Sequence, residues 1–227
     1  MDREGIGKLW ANPPHVTCIA IQRYLALEPA PINKRRRYYG SPIIELAFLR
    51  SVDRLLLSEL DQDTSAKLQA NVAHDTRALV KQGDGIAALP TKLQECDDDA
   101  AVLVVIDPSY ASKEEWLTIP QTLIDIYRLR PQTHILLWYP VKSYTRPNAM
   151  LQKLGASGVP SIALELITTP LELQKNRLNG NGVLLINAPE IVICEVMAAA
   201  PVLGRIEATH ADRFTCRTLG WTNIWNK

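Results

Sequence analysis

Residues 101–110, Ala101-Val102-Leu103-Val104-Val105-Ile106-Asp107-Pro108-Ser109-Tyr110, decide the fold. Six apolar residues in a row, four of them β-branched, end abruptly at an acid and a proline. A run of this length and make-up, closed by turn residues, predicts a strand covered on both faces. Just beyond it, Ser112 stands three residues before Glu115, a capping box. The box predicts a helix running through Trp116, Leu123, Ile126 and Tyr127. Strand, acidic turn and capped helix make one β-α unit.

The unit repeats on either side. Upstream, Leu55–Glu59 and Ala78–Lys81 read as strands, the first followed by a helical stretch with Leu68 and Val72 on one face. Downstream, His134–Tyr139, Ser161–Ile167 and Val183–Ile186 are further strands. A helix is expected around Asn148–Leu154, stopped by Gly155, and another from Glu190 to about Ala199. Six strands alternating with helices predict an α/β fold with a mainly parallel sheet. The last two are separated by Asn179-Gly180-Asn181-Gly182, read as a loop, so they are expected to form an antiparallel pair at one edge. Residues 1–40 read as irregular and proline-rich, with Pro13, Pro14, Pro29 and Pro31. A helix follows, N-capped by Ser41 with Pro42 at its first position, and Ile43, Ile44, Ala47 and Phe48 give it an apolar face.

Bulk composition narrows the function classes. The 227 residues are 47% hydrophobic and 22% charged, as in an ordinary globular protein. Lys and Arg total 25 against 24 Asp and Glu, a net charge of +1, so polyanion binding has to come from a local patch. Lys34-Arg35-Arg36-Arg37, followed by Tyr38, is such a patch: it can grip RNA phosphates and stack a base, with Arg50 and Arg54 extending it. Cys18, Cys96, Cys194 and Cys216 and the four histidines are scattered, so no metal site is expected. No signal peptide is read at the N-terminus, and the apolar stretch 182–203 is too interrupted to span a bilayer. The expected location is the cytoplasm, with no membrane partner and a monomer favoured.

In open α/β sheets, ligands bind beyond the carboxyl ends of the strands. Three successive strands end at or near acids: Glu59, Asp84 and Asp107. An acid after one strand can accept both hydroxyls of a ribose. Asp84-Gly85 after the next can meet an adenine amino group while the glycine lets the base approach. Asp107 and the carbonyl of Pro108 can each accept a hydrogen bond from one exocyclic amine, and Tyr110 offers a flat face to the base. Taken singly, each acid reads more readily as a helix cap or a solvated strand end than as a ligand contact.

The blocks Tyr38-Tyr39-Gly40-Ser41-Pro42, Ser58-Glu59-Leu60, Asp84-Gly85, Ile106-Asp107-Pro108-Ser109-Tyr110, Leu137-Trp138-Tyr139-Pro140-Val141, Leu164-Glu165-Leu166 and Ile186-Asn187-Ala188-Pro189 occur in this order. Together they resemble the RlmJ family of 23S ribosomal RNA adenine-N6 methyltransferases over roughly residues 5 to 205. The resemblance implies a class I, Rossmann-like fold using S-adenosylmethionine. It places a partial helical insertion in residues 1–50, the methyltransferase core in 51–205 and a tail in 206–227. It implies that Glu59 binds the cofactor ribose, that Asp84 and Gly85 bind its adenine, and that Asp107 lies by the cofactor while, with Pro108 and Tyr110, it handles the target base. The expected partner is 23S ribosomal RNA.

Two departures stand against that pattern. Ser109 replaces the second proline of the family's Asp-Pro-Pro-Tyr, which frees a backbone N–H and loosens φ. The family's opening strand and Gly-rich loop have no counterpart, so the sheet is expected to lack its first, central strand and the chain to be N-terminally truncated. The alternative functions are a non-catalytic nucleic-acid-binding remnant of the fold, or a role in the use of external DNA as a nutrient.

Overall fold

The computed structural model describes residues 6–11, 18–27, 38–174, 177–210 and 213–220. The chain falls into two compact units, residues 21–89 and residues 1–20 with 90–227.

In the smaller unit, β1 (Leu55–Glu59) and β2 (Ala78–Gln82) form a parallel pair with Glu59 beside Gln82. Helix α4 (Gln62–Val72) makes the crossover, N-capped by Asp61, whose carboxylate accepts from Thr64 N at 2.8 Å. Helix α3 (Ser41–Phe48) starts one residue earlier than its sequence signal, with Gly40 at the cap and Pro42 within the first turn. The C-terminal carbonyls of α3 are met by Arg77. Its guanidinium donates to Leu49 O at 2.6 Å and Leu46 O at 3.3 Å, and pairs with Asp75 at 2.6 Å. A cation at a helix C-terminus satisfies orphan carbonyls and complements the helix dipole.

The larger unit holds a five-stranded sheet of order β3-β4-β6-β5-β7. Its strands are β3 (Leu103–Ile106), β4 (His134–Val141), β5 (Ser161–Ile167), β6 (Gly180–Ile186) and β7 (Thr215–Gly220). Only β3 and β4 run parallel; the other three pairings are antiparallel. The mainly parallel sheet expected from the sequence is therefore a mixed one. Side chains alternate across it. Ile135, Leu137, Tyr139, Ala163, Leu184 and Ile186 are buried on the face that carries α6 (Glu115–Leu129) and α7 (Thr145–Ala156). Ile162, Leu164 and Leu185 pack on the other face with Ile193 of α8 (Glu190–Glu207).

Four local expectations change. The glycine loop 179–182 is largely the start of β6, which lies between β4 and β5 rather than at an edge. The reason is close packing: a Cβ on Gly182 would stand 2.1 Å from the Tyr139 ring, and one on Gly180 2.3 Å from Leu166 O. The edge belongs to β7, within what reads as a tail. Thr215-Cys216-Arg217-Thr218-Leu219-Gly220 carries little apolar character, and β5 recruits it through the backbone. The proline-rich start contains two helices, α1 (Ile6–Ala11) and α2 (Ile19–Leu27). A further helix, α5 (Gly85–Gln94), contains Pro90, and α8 runs past Ala199 through Pro201 to Glu207. Proline is a poor guide to where these helices stop.

Coverage of β3 is also one-sided. Val104 and Ile106 are buried, but Leu103 is 66% and Val105 43% exposed. Among the described residues β3 has a ladder partner on one edge alone, β4.

Candidate active site

The smaller unit brings Glu59, Asp84 and Gly85 to one end of its parallel pair. Gly83 N donates to Glu59 O at 2.9 Å, which ties the turn after β2 to the end of β1. Gly85 begins α5 against Ser58, where a Cβ would stand 2.7 Å from the serine Cβ, so only glycine lets helix and strand approach this closely. Asp84 Oδ1 accepts from Ile86 N and Ala87 N, both at 3.0 Å, and thereby caps α5. Glu59 Oε1 accepts from Asp61 N at 3.0 Å. Each carboxylate thus spends one oxygen on its own turn. Asp84 is exposed and Glu59 half-buried. Two acceptors fixed at adjacent strand ends suit hydroxyls and an amino group, the polar edge of a nucleoside.

The larger unit carries Asp107, Pro108 and Tyr110 on the loop between β3 and α6. Asp107 is exposed, and among the described residues nothing hydrogen-bonds its carboxylate. Partial burial nevertheless pushes its pKa up, which makes it a better proton acceptor than a free aspartate. The loop turns through Ser109, whose Oγ accepts from Ala111 N at 3.3 Å. Helix α6 opens later than the capping box suggests. Glu115 does reach back to Ser112 N at 2.9 Å, but Ser112 Oγ accepts from Glu114 N and donates to the Glu114 carboxylate, and the helix proper begins at Glu115.

Tyr110 sits differently from its sequence reading. Its φ is +50°, in the left-handed region, and the side chain is 8% exposed. The ring lies on Trp116, centroids 4.4 Å apart at 40°, with Trp138 at 6.4 Å. Trp116 in turn meets Tyr139 edge-on at 6.3 Å. The Tyr110 hydroxyl is buried with no hydrogen-bond partner among the described residues. Burial, with Glu115 and Asp107 adding their charge, drives its pKa far above the usual tyrosine value. Trp116 was legible only as a core position of its helix, because nothing in the sequence marks an indole as the neighbour of a tyrosine six residues earlier.

Of the basic run, Lys34, Arg35, Arg36 and Arg37 lie outside the described residues; Tyr38 is 64% exposed. Arg50, read as an extension of the patch, is paired with Asp53 at 2.7 Å. Among the described residues no cluster of three or more His, Cys, Asp or Glu side chains is placed to hold a metal ion, and no helix is long and apolar enough to cross a membrane.

Comparison with known proteins decides the family. The family described as Ribosomal RNA large subunit methyltransferase D, RlmJ, matches residues 2–221. The chain belongs to this family. It is 30% identical over 229 residues to the Ribosomal RNA large subunit methyltransferase J of Haemophilus influenzae, covering 98% of this chain and 77% of that protein. The protein of the same name from Escherichia coli is 31% identical over 187 residues, covering 82% of this chain and 66% of the relative. Among solved structures, protein LPL1258 from Legionella pneumophila superposes with a TM-score of 0.86 at 25% identity, over 97% of this chain and 81% of that one. Membership of the RlmJ family confirms the resemblance read from the seven sequence blocks and agrees with a class I methyltransferase fold.

Proposed function

We propose that this chain is an S-adenosylmethionine-dependent methyltransferase that modifies N6 of an adenine in 23S ribosomal RNA. The observation that carries the reading is Asp107: a carboxylate at the end of β3, followed by Pro108, engaged by no described residue and made more basic by its surroundings. Family membership supports the class of reaction, and the relatives' names supply the ribosomal substrate.

S-adenosylmethionine would supply an electrophilic methyl on a sulfonium. The donor chemistry of the smaller unit fits its nucleoside end: Glu59 would take the ribose hydroxyls, and Asp84, with Gly85 admitting the base, the adenine. In the larger unit Asp107 and the Pro108 carbonyl would each accept one N–H of the target amine. That arrangement turns the nitrogen lone pair toward the methyl, and Asp107 can receive the proton released after transfer. Positioning supplies most of the rate, and no covalent enzyme intermediate is needed. Lys34, Arg35, Arg36, Arg37 and Tyr38 would hold the RNA strand, and the protein would act as a cytoplasmic monomer.

The bare edge of β3, with Leu103 and Val105 open, supports a sheet that takes one more strand than the described residues provide. The same observation, with Ser109 in the catalytic loop, favours one rival: a nucleic-acid-binding protein of this fold without transferase activity.

Calorimetry with S-adenosylmethionine and transfer of a labelled methyl to 23S ribosomal RNA separate the two. The enzyme reading expects cofactor binding and label in adenine. Asp107→Ala should then abolish transfer and leave cofactor affinity within about twofold, since that side chain would face the acceptor amine more than the donor. RNA binding without cofactor binding would leave the rival standing. An Asp107→Ala protein that still methylates RNA would show the site to be misplaced.

A further inference from the structure

Tyr110 is held in an arrangement that has to be opposed by something. Its backbone occupies the left-handed region, uncommon for a bulky residue. Its hydroxyl is buried without a partner among the described residues, which costs free energy that a solvent-facing tyrosine does not lose. Two carboxylates, Glu115 and Asp107, add their charge near that hydroxyl. What opposes these costs is aromatic contact. The ring rests on Trp116 at 4.4 Å, inside a cluster completed by Trp138 and Tyr139. Trp116 is itself only half-buried, so part of its indole faces outward.

We propose that Trp116 is a positioning residue that parks Tyr110 in a closed state, and that an incoming base releases it. In the closed state the face Tyr110 would present to a base is turned into the cluster. Opening relieves the left-handed backbone and returns the hydroxyl to water, at the cost of the ring's burial and its contacts with Trp116 and Trp138. The two states are therefore close in free energy, and a stacked base tips the balance. The inference rests on the proposed reading of Tyr110 as a base-contacting residue.

Weakening the parking contact should raise the open population and so tighten binding of single-stranded adenine-containing RNA. For the full chain titrated with a short oligoadenylate, Trp116→Ala should lower the apparent Kd roughly two- to tenfold, the span expected of one aromatic pair. Trp116→Leu, which keeps apolar bulk in case the alanine variant folds poorly, should act in the same direction. Tyr110→Phe keeps the ring and removes the orphan hydroxyl, so the closed state gains: Tm should rise and oligoadenylate should bind more weakly. A residue that only fills the core would produce neither the tighter binding nor the opposed pair of signs.

The indole reports the state directly. The emission difference between the wild type and Trp116→Phe isolates Trp116, and oligoadenylate should move it toward the value given by Tyr110→Ala. Weaker or unchanged binding by both Trp116 variants, or a difference spectrum that oligoadenylate leaves unmoved, overturns the proposal. Methyl transfer tells the two readings apart. A moving indole signal without transfer from S-adenosylmethionine refutes the enzyme and keeps the latch; transfer with a static signal does the reverse.

Discussion

The two units hold their charges by opposite means. In residues 21–89 the anchoring pairs are only half-buried: Asp75 with Arg77, and Asp53 with the exposed Arg50. Their carboxylates are stabilised in the charged form by direct hydrogen bonds from arginine, and Asp53 is brought down to about 2. In the larger unit the corresponding charge is sealed in. Glu165 on β5 is 1% exposed; its Oε1 accepts from Tyr139 OH at 3.0 Å, and its Oε2 lies 3.0 Å from Arg217 Nη1 of β7 without a well-aimed hydrogen bond. Burial pushes the Glu165 carboxyl up, and Arg217 and Tyr139 only partly offset this. One unit thus uses charge as a half-buried strap closed by direct hydrogen bonds, and the other pins its edge strand with a fully buried ion that has nowhere else to go.

The largest expected effect comes from breaking the sealed pair. Arg217 also stacks on Tyr144 at 3.7 Å and donates to Asn148 at 3.3 Å, so it joins β7 to α7. Arg217→Met would leave the buried Glu165 carboxyl without its counter-ion, at a cost of about 3–5 kcal/mol in urea unfolding. Adding Glu165→Gln should recover most of the loss, because the double variant has no orphan charge. Residues 21–89 contain no tryptophan, so indole emission follows the unfolding of the larger unit without interference from them. A single variant as stable as the wild type would show that β7 is held by its backbone ladder alone.

A pair of glycines extends the contrast. An alanine Cβ at Gly182 would press on the ring of Tyr139, which is fully buried and tied to Glu165. At Gly85 it would press on Ser58, an exposed side chain at the end of β1. Gly182→Ala should therefore cost about 1–3 kcal/mol, the overpacking range, and Gly85→Ala less than Gly182→Ala because Ser58 can yield. Equal losses in chemical denaturation would mean that the β1 end is as rigid as the sheet centre. If Gly85→Ala also weakens S-adenosylmethionine binding by more than its loss of stability explains, the glycine serves the cofactor as well as the helix.

These residues also show what a sequence can disclose. Strands β1 to β5 were legible because apolar runs and turn residues mark them locally. Their ends, and hence Glu59, Asp84 and Asp107, followed at once. Strand β6 was half-read, since its glycines answer to a ring supplied by Tyr139 some forty residues earlier, and local composition spells a loop. Strand β7 carries almost no local signal; its place depends on β5 having an open edge and on Arg217 meeting Glu165. The helix through Pro90 was hidden, and the end of the one through Pro201 was set too early, by a residue that usually ends helices. For the candidate site, the acids were visible, but the posture of Tyr110 was not, because a left-handed backbone and an indole neighbour leave no trace in a four-residue motif.

The smallest effect, and the sharpest on the comparison, is pH dependence. Glu165 has a folded pKa above its ordinary value of 4.5, so its folded state binds the proton more tightly than the unfolded chain does. Stability from this group is fully present below 4.5 and is lost as pH rises through the raised folded value. Asp75 is held below its ordinary 3.8, so its contribution is present above that pH and is lost as pH falls beneath it. Glu45 of α3, also pushed up by burial, acts in the opposite direction within the same unit, so single-site variants are needed to isolate each term. The urea midpoint of Glu165→Gln minus that of the wild type should grow as pH rises from 4 to 7. The advantage of the wild type over Asp75→Asn, followed by hydrogen exchange at β1 and β2, should shrink as pH falls below 3.8. If both differences move the same way with pH, the two units do not treat their carboxylates differently, and the contrast between strap and pin fails.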